Sequence, residues 1–265
     1  MRRWLRRYAA CASIAARLAL AYRAYLGMSV LSAAVSMAVL GYFWRAVLSS
    51  SGEVAGLDRA TALRYVLVAQ VVSGAAETWI LRRTSFALRE GRIAVELTRP
   101  LDLQLSQLGQ AVGTWAVTLA ARLPLLALAA ALGADLPSDP LAWAAFLGSF
   151  GIGACAMFGF EWGLASLAFR TTEVWGIQVT VEALAVFFGG AIVPLDLMPP
   201  ALRAVASALP FQQVVHVPVS LLAGSIPLAD APRVLAGQAA WAAALVLGSR
   251  ILFDRAARAV TVHGG

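Results

Sequence analysis

The sequence predicts an all-α polytopic membrane protein with about six transmembrane helices, an amphipathic amino-terminal elbow helix and a broken re-entrant hairpin before the last span. Three observations carry that expectation. The 265 residues are 60% hydrophobic and only 13% charged, whereas a soluble domain carries about 25% charged residues, so lipid is the solvent for most of the surface. Apolar stretches of spanning length recur between short polar turns. The arginines collect on one side of the resulting zigzag.

Residues 1–23 are the expected elbow. At 100° per residue, Trp4, Leu5, Tyr8, Cys11, Ala12, Ala15, Leu18, Ala19 and Tyr22 share one face, and Arg2, Arg3, Arg6, Arg7 and Arg17 occupy the other. Such segregation fits a helix lying in the headgroup plane; a disordered basic tail is the alternative. Arg17 and Arg23 stand where a secretory leader would have its apolar core and cleavage site, so no removable signal peptide is expected.

A six-span domain, 24–258, follows. Span one, 25–48, ends in an aromatic belt at Tyr42, Phe43 and Trp44, and 49–59 form a polar turn. Span two, 60–81, is the least oily, with Arg64, Gln70 and Glu77 in it; its small residues Ser73, Gly74, Ala75 and Ala76 allow close helix contact. A charged segment, 82–109, comes next. Pro100 stops any helix begun at Arg89, so a short helix, a bend at Arg99–Pro100 and an amphipathic run over 101–108 are expected.

Span three, 111–132, is interrupted by Arg122 and Pro124. After an acidic turn, span four covers 141–169 with Glu161 in its second half, and span five covers 174–193 with Glu182 near its middle. Gly159 and Gly163 have the G-x-x-x-G spacing of a close helix crossing, a spacing that chance also produces among 22 glycines. Prolines 194, 199, 200, 210, 218 and 227 punctuate 194–231, yet the segment stays apolar. Broken apolar backbone survives at membrane depth only where protein covers it or it lines a cavity, hence the re-entrant hairpin. The last span, 232–253, leads to Arg250, Arg255, Arg258 and a tail, 259–265.

With the amino terminus inside, Arg2, Arg3, Arg6, Arg7, Arg17, Arg82, Arg83, Arg89, Arg92, Arg99, Arg170, Arg250, Arg255 and Arg258 all fall on the inner side. Only Arg45, Arg59, Arg64, Arg203 and Arg233 fall outside, which places both termini in the cytoplasm.

Every basic side chain is arginine; the sequence has no lysine. That excludes a Walker A loop, whose lysine reaches the phosphates, and Schiff-base chemistry. The isoelectric point near 10.4 reflects arginines facing an anionic leaflet rather than nucleic acid. Cys11 and Cys155 are too isolated for a disulfide framework or a metal site. His216 and His263 are equally isolated; His216 reads as a structural histidine, with proton sensing as the other reading. No catalytic constellation or metal cluster is expected.

Two groups of residues stand out. Arg89, Glu90, Gly91, Arg92, Glu96, Arg99 and Pro100 combine charge of both signs with a glycine and a proline-defined bend. They form either a docking knob for a soluble partner or a solvated loop. Arg122 and Glu182 lie mid-span, where a lone charge costs about 2.5–3.5 kcal/mol. Glu161 or Glu182 then offers a carboxylate to a cationic substrate with help from Trp162, Phe160 or Phe187, or Arg122 and Glu182 form a structural ion pair. The candidate substrate path is Arg122, Glu161, Trp162, Glu182 and Phe187.

This layout resembles the permease subunits of type-2 ABC exporters. The segment 90–102 is similar to a G-x-x-x-x-x-L-x-R-P-L stretch in one subgroup of them, with Gly91, Leu97, Arg99, Pro100 and Leu101 at its fixed places. The resemblance implies a non-enzymatic transport subunit in a bacterial inner (plasma) membrane, paired with a second copy or a paralogous permease. It implies two copies of a separate ATPase that hold the ATP and Mg, with no cofactor in this chain and no nucleic-acid partner. It carries the coupling role onto Arg89, Glu90, Gly91, Arg92 and Glu96, and efflux of a cationic drug or amphipathic molecule onto the spans. Glu161 and Glu182 depart from the family's pattern. The alternatives are a non-transporting membrane anchor or assembly subunit, and a proton-coupled secondary transporter using Glu161 and Glu182. The second would bring internal inverted repeats, and none is visible between the two halves.

Overall fold

The computed structural model describes residues 2–49, 53–54, 57–98, 100–169, 171 and 174–261. Arg99, Arg170, His263 and the side chains of Arg2, Arg3, Trp4 and Leu5 lie outside the described residues, as do 262–265 of the expected tail. The regular secondary structure of the described residues is helical apart from a two-residue antiparallel ladder, Glu53–Val54 with Leu57–Asp58, inside the expected polar turn.

Helix α1 (Arg2–Ala21) leads through Tyr22 into α2 (Arg23–Ser49). Its small-residue face packs along α6 (Leu103–Arg122), leaving Tyr8, Cys11, Ala12 and Ala15 half-buried while Arg6, Arg7 and Arg17 stay exposed. Glycines on α6 permit the approach. A Cβ on Gly109 would stand 2.9 Å from the Tyr8 carbonyl oxygen, and one on Gly113 would overlap the Ala12 carbonyl. Tyr8 meets Gly109 and Ala12 meets Gly113, so the two helices run parallel in step.

Helix α3 (Arg59–Val72) is the central column, buried without a gap from Tyr65 to Val72, as expected of a helix that is apolar all round. Asp58 caps it by accepting the Thr61 N–H at 3.4 Å, and hydrogen bonds from the Thr61 side chain and then from backbone N–H groups hold the Asp58 carboxyl below the usual aspartate range. The sequence led us to expect one helix over 60–81. Instead α3 stops at Val72 and α4 (Ile80–Arg89) starts after a seven-residue break, 73–79.

Helix α5 (Arg92–Leu97) follows. The amphipathic run expected from Leu101 to Leu108 is the opening of α6, capped by Asp102, which accepts the Leu105 N–H at 2.9 Å. Pro124 only interrupts the passage from α6 to α7 (Leu125–Ala131), and Leu103–Ala131 is one apolar unit. Helix α8 (Pro140–Ala165) has proline at its first position and the Asp139 carboxylate accepting the Leu141 N–H at 2.8 Å, two start signals together. It crosses the last helix, α12 (Ala231–Thr261), at the G-x-x-x-G spacing. A Cβ on Gly159 would lie 2.7 Å from the Val246 nitrogen, and one on Gly163 3.5 Å from the Ser249 Cβ. That spacing is a close crossing and not a coincidence of composition.

Helix α9 (Trp175–Phe188) rises about 21 Å, short of the ~30 Å hydrocarbon core, because the chain turns at Gly189 and Gly190 well before residue 193. Helix α10 (Pro200–Ala208) and the stretch Pro210–Ala223, which contains α11 (His216–Ala223), form an apolar pair bent by 78°. Polar side chains from the long helices satisfy the loose carbonyls around it. Trp44 Nε1 donates to Ile192 O at 3.1 Å, Tyr65 Oη to Gly190 O at 3.1 Å, Gln70 Nε2 to Ala191 O at 2.7 Å, and Gln238 Nε2 to Gln213 O at 3.0 Å. Irregular backbone among lipid-facing helices requires such cover.

Among the described residues, four helices are long and apolar enough to cross a membrane: Arg23–Ser49, Leu103–Ala131, Pro140–Phe169 and Leu228–Arg258. The bent pair makes a fifth if counted as one span. The six straight spans of the sequence reading are therefore not all present as such: span two is broken and span five is short.

Overpacking the α1–α6 contact tests this arrangement. Gly113→Val should lower the thermal midpoint of the detergent-purified protein, a destabilisation of about 1–3 kcal/mol. Gly237→Ala, whose Cβ would meet nothing within 4 Å, should leave the midpoint unchanged or raise it. An unchanged midpoint for Gly113→Val would contradict the close approach.

Candidate functional site

The break in span two is built by two left-handed residues and held by two side chains from other helices. Gly74 has φ 72°, and Trp79, the one non-glycine with positive φ among the described residues, has φ 54°. A bulky residue adopts that conformation only where its surroundings impose it. Arg122, on α6 and 7% exposed, donates from Nη1 to the Ser73 carbonyl that the end of α3 leaves free, and from Nη2 to Ser29 Oγ of α2 at 2.7 Å. Thr78 Oγ1 donates to Glu161 Oε2 of α8. Glu161 is 4% exposed, and this hydroxyl is one of its hydrogen-bond partners.

A hollow of about 90 Å³ opens beside the break, between α8, α9 and the bent segment. Glu77, Thr78 and Trp79 of the break line it, with Glu161 of α8, Gln178 and Glu182 of α9, and Phe211. Gln178 Nε2 donates to Glu182 Oε1 at 2.9 Å. Three carboxylates from three separate elements thus face one small space; among the described residues no arginine or histidine lines it, though the Arg122 guanidinium and the Glu77 carboxylate both lie by Gly74 at its edge. A second hollow of about 340 Å³ lies behind the break, lined by Tyr25, Ser29, Arg82, Thr114 and Thr118. Gly74, Glu77 and Trp79 border both hollows, so the break is the wall between them.

Toward the charged island, α4 runs straight from the break. Arg89 lies over the Phe86 ring at 5.1 Å and reaches Ser85 Oγ at 3.4 Å. Gly91 turns with φ 69° and is exposed, and Arg92 pairs with Glu90 across it. Arg83, Glu90, Arg92, Glu96 and Gln107 line a polar cleft of about 260 Å³. Beyond the exposed Pro100, Asp102 is ion-paired with Arg250 of α12, tying the end of the island to the last helix.

Of the substrate-path residues named from the sequence, the structure brings Glu161 and Glu182 to one hollow. Arg122 lies at the back of the break and does not pair with Glu182; its hydrogen-bond partners are Ser73 and Ser29. Trp162 is 2% exposed and stacks on Phe253 at 4.4 Å, away from the hollow. Phe187 is exposed and packs edge-on against Phe188 at 5.0 Å. Glu77 and Thr78 complete the site. The signal that could have found them is a helix-breaking Ser-Gly run just before a carboxylate inside an apolar span. His216 is a structural partner, its Nδ1 lying 3.1 Å from Tyr65 Oη and 3.4 Å from Ser220 Oγ.

The family model described as "ABC-2 family transporter protein" matches residues 34–264, which include the break, the hollow and the island. No curated protein and no solved structure matches the chain. With most of its length matched and long apolar helices to carry it through a bilayer, this integral membrane transport component, not itself catalytic, belongs to the ABC-2 family transporter proteins.

Proposed function

We propose that this chain is the permease subunit of an ATP-driven exporter of cationic or amphipathic molecules, and that Glu77, Glu161 and Glu182 receive the substrate's cationic group. The family match supports the permease role, and the three carboxylates around one hollow carry the choice of charge. Carboxylates at membrane depth are costly unless a cation or a hydrogen bond compensates them. A site for a drug-sized ligand measures roughly 300–1,000 Å³, so a hollow of about 90 Å³ takes the charged head of the substrate only. The rest lies along the seam with a second permease, a copy or a paralogue.

In this reading the bacterial inner membrane is crossed six times, with α3 and α4 as one broken span, α9 as the fifth, and both termini cytoplasmic. Two ATPase subunits, which hold ATP and Mg, dock on the island at Arg89, Glu90, Gly91, Arg92, Glu96, Arg99 and Pro100. Helix α4 is the lever. Its ten residues span about 15 Å and join the island directly to Thr78 and Glu77. Closure of the ATPases moves the island, α4 shifts Thr78 relative to Glu161, and the wall between the two hollows opens one side or the other. That is alternating access with the break as the gate.

Two outcomes are expected in membrane vesicles that contain the partner ATPases. Glu161→Gln should slow ATP-dependent extrusion of a cationic dye on the order of tenfold to a hundredfold, the size of one charge-assisted interaction, with unchanged insertion. Normal extrusion would remove the carboxylate from the path, and extrusion driven by a proton gradient without ATP would favour a secondary carrier. Arg92→Glu should abolish substrate-stimulated ATP hydrolysis while the permease still inserts; normal stimulation would clear the island of the coupling role.

A further inference from the structure

A further space lies on another side of α8 from the carboxylate hollow. Beside the Gly159 crossing, α8 and α12 border a groove of about 660 Å³, lined by Gly163, Leu164, Leu167, Gly248, Leu252 and Arg255 among others. Its lining is mostly apolar except at the Arg255 end. Leu247, Ile251 and Leu252 on α12 and Leu167 beside α8 are exposed, so the groove opens on the outer surface of the helix bundle. Along α12 it extends from Ala244 to Ala256, a rise of about 18 Å. One bilayer leaflet contributes half of a ~30 Å hydrocarbon core, about 15 Å, so the groove has the length of one leaflet and ends where headgroups begin.

The charge at that end fits the same occupant. Arg250 is taken by Asp102, but no hydrogen bond, ion pair or ring contact with a described residue engages Arg255. Arg258 follows one turn further on, and Asp254, the residue before Arg255, is the one acid in this turn of the helix. A cation without a protein partner at the mouth of an apolar groove calls for an anion with an apolar tail.

We infer that the α8–α12 groove holds one acyl chain of an anionic phospholipid from the leaflet at the carboxy-terminal end of α12, with its phosphate on Arg255. The site rests on the membrane placement proposed above and is independent of the cation path. The chain covers apolar side chains of both helices there. Those helices also carry Glu161 and the Arg250–Asp102 link to the island.

Gly248 supplies a clean test, because a Cβ there meets nothing within 4 Å, so a larger side chain fills the groove without disturbing the crossing. The full-length protein is equilibrated with equal amounts of phosphatidylglycerol and phosphatidylcholine, and bound lipid is counted by native mass spectrometry. The wild type should retain phosphatidylglycerol with a roughly fivefold preference, the effect of one arginine at an anionic surface. Gly248→Leu should lose the bound lipid, and Arg255→Gln should retain lipid without the preference. Glu161→Gln should bind lipid as the wild type does, whatever its transport, which separates this inference from the cation path. Unchanged lipid retention in Gly248→Leu would overturn the inference. So would a dimer that Gly248→Leu dissociates with no change in lipid, because a second copy would then cover the groove.

Discussion

A helix interrupted at membrane depth has backbone groups that neither its own turns nor lipid can satisfy. In the membrane placement proposed for this protein, the break at 73–79 meets that constraint through side chains brought from distant parts of the chain. Arg122 takes the Ser73 carbonyl and Thr78 engages Glu161. Arg122 is thereby fixed between α2, α6 and the break, and Glu161 is fixed on the face of α8 opposite the groove-forming glycines' contacts with α12. Removing the break would take the Ser73 carbonyl from Arg122 and the Thr78 hydroxyl from Glu161.

The same logic governs the bent segment before α12. Its Gln213 carbonyl is met by Gln238 of α12, and the carbonyls of Gly190, Ala191 and Ile192 ahead of it by Tyr65, Gln70 and Trp44 of α3 and α2. Broken backbone and buried amides are therefore two halves of one arrangement. Together they let α3 pass through the centre of the molecule and still end halfway, where the carboxylates converge. A continuous span two would have carried Glu77 past this level on a rigid rod. Broken, it places Glu77 beside Glu161 and Glu182 on one hollow, with α4 leading from there to the island.

Much of the fold is legible in the sequence because its signals are local. Asp139–Pro140 and Asp102 mark helix starts, and the prolines after 194 mark the broken segment. The G-x-x-x-G spacing at Gly159 is legible as a spacing, while its meaning depends on which helix lies opposite. Gly109 and Gly113 have the same spacing and went unnoticed, although α1 depends on them. The break in span two was hidden because Ser-Gly-Ala-Ala also suits a tightly packed helix. Only Arg122, 49 positions further on, decides that the helix ends there. Glu161 and Glu182 stand out in the sequence as isolated charges in apolar runs, whereas Trp162 and Phe187 are near them in sequence only and pack on Phe253 and Phe188.

The central claim is that the island and the carboxylate hollow move as one device through α4. The most direct measurement is the distance between spin labels at Phe86→Cys on α4 and Leu147→Cys on α8, both exposed positions, with Cys11 and Cys155 replaced. It would be made on the assembled transporter, with nucleotide absent and with ATP trapped on the ATPases. A distance distribution that shifts between the two states is the predicted result. An identical distribution, in a complex that still transports, would contradict the account.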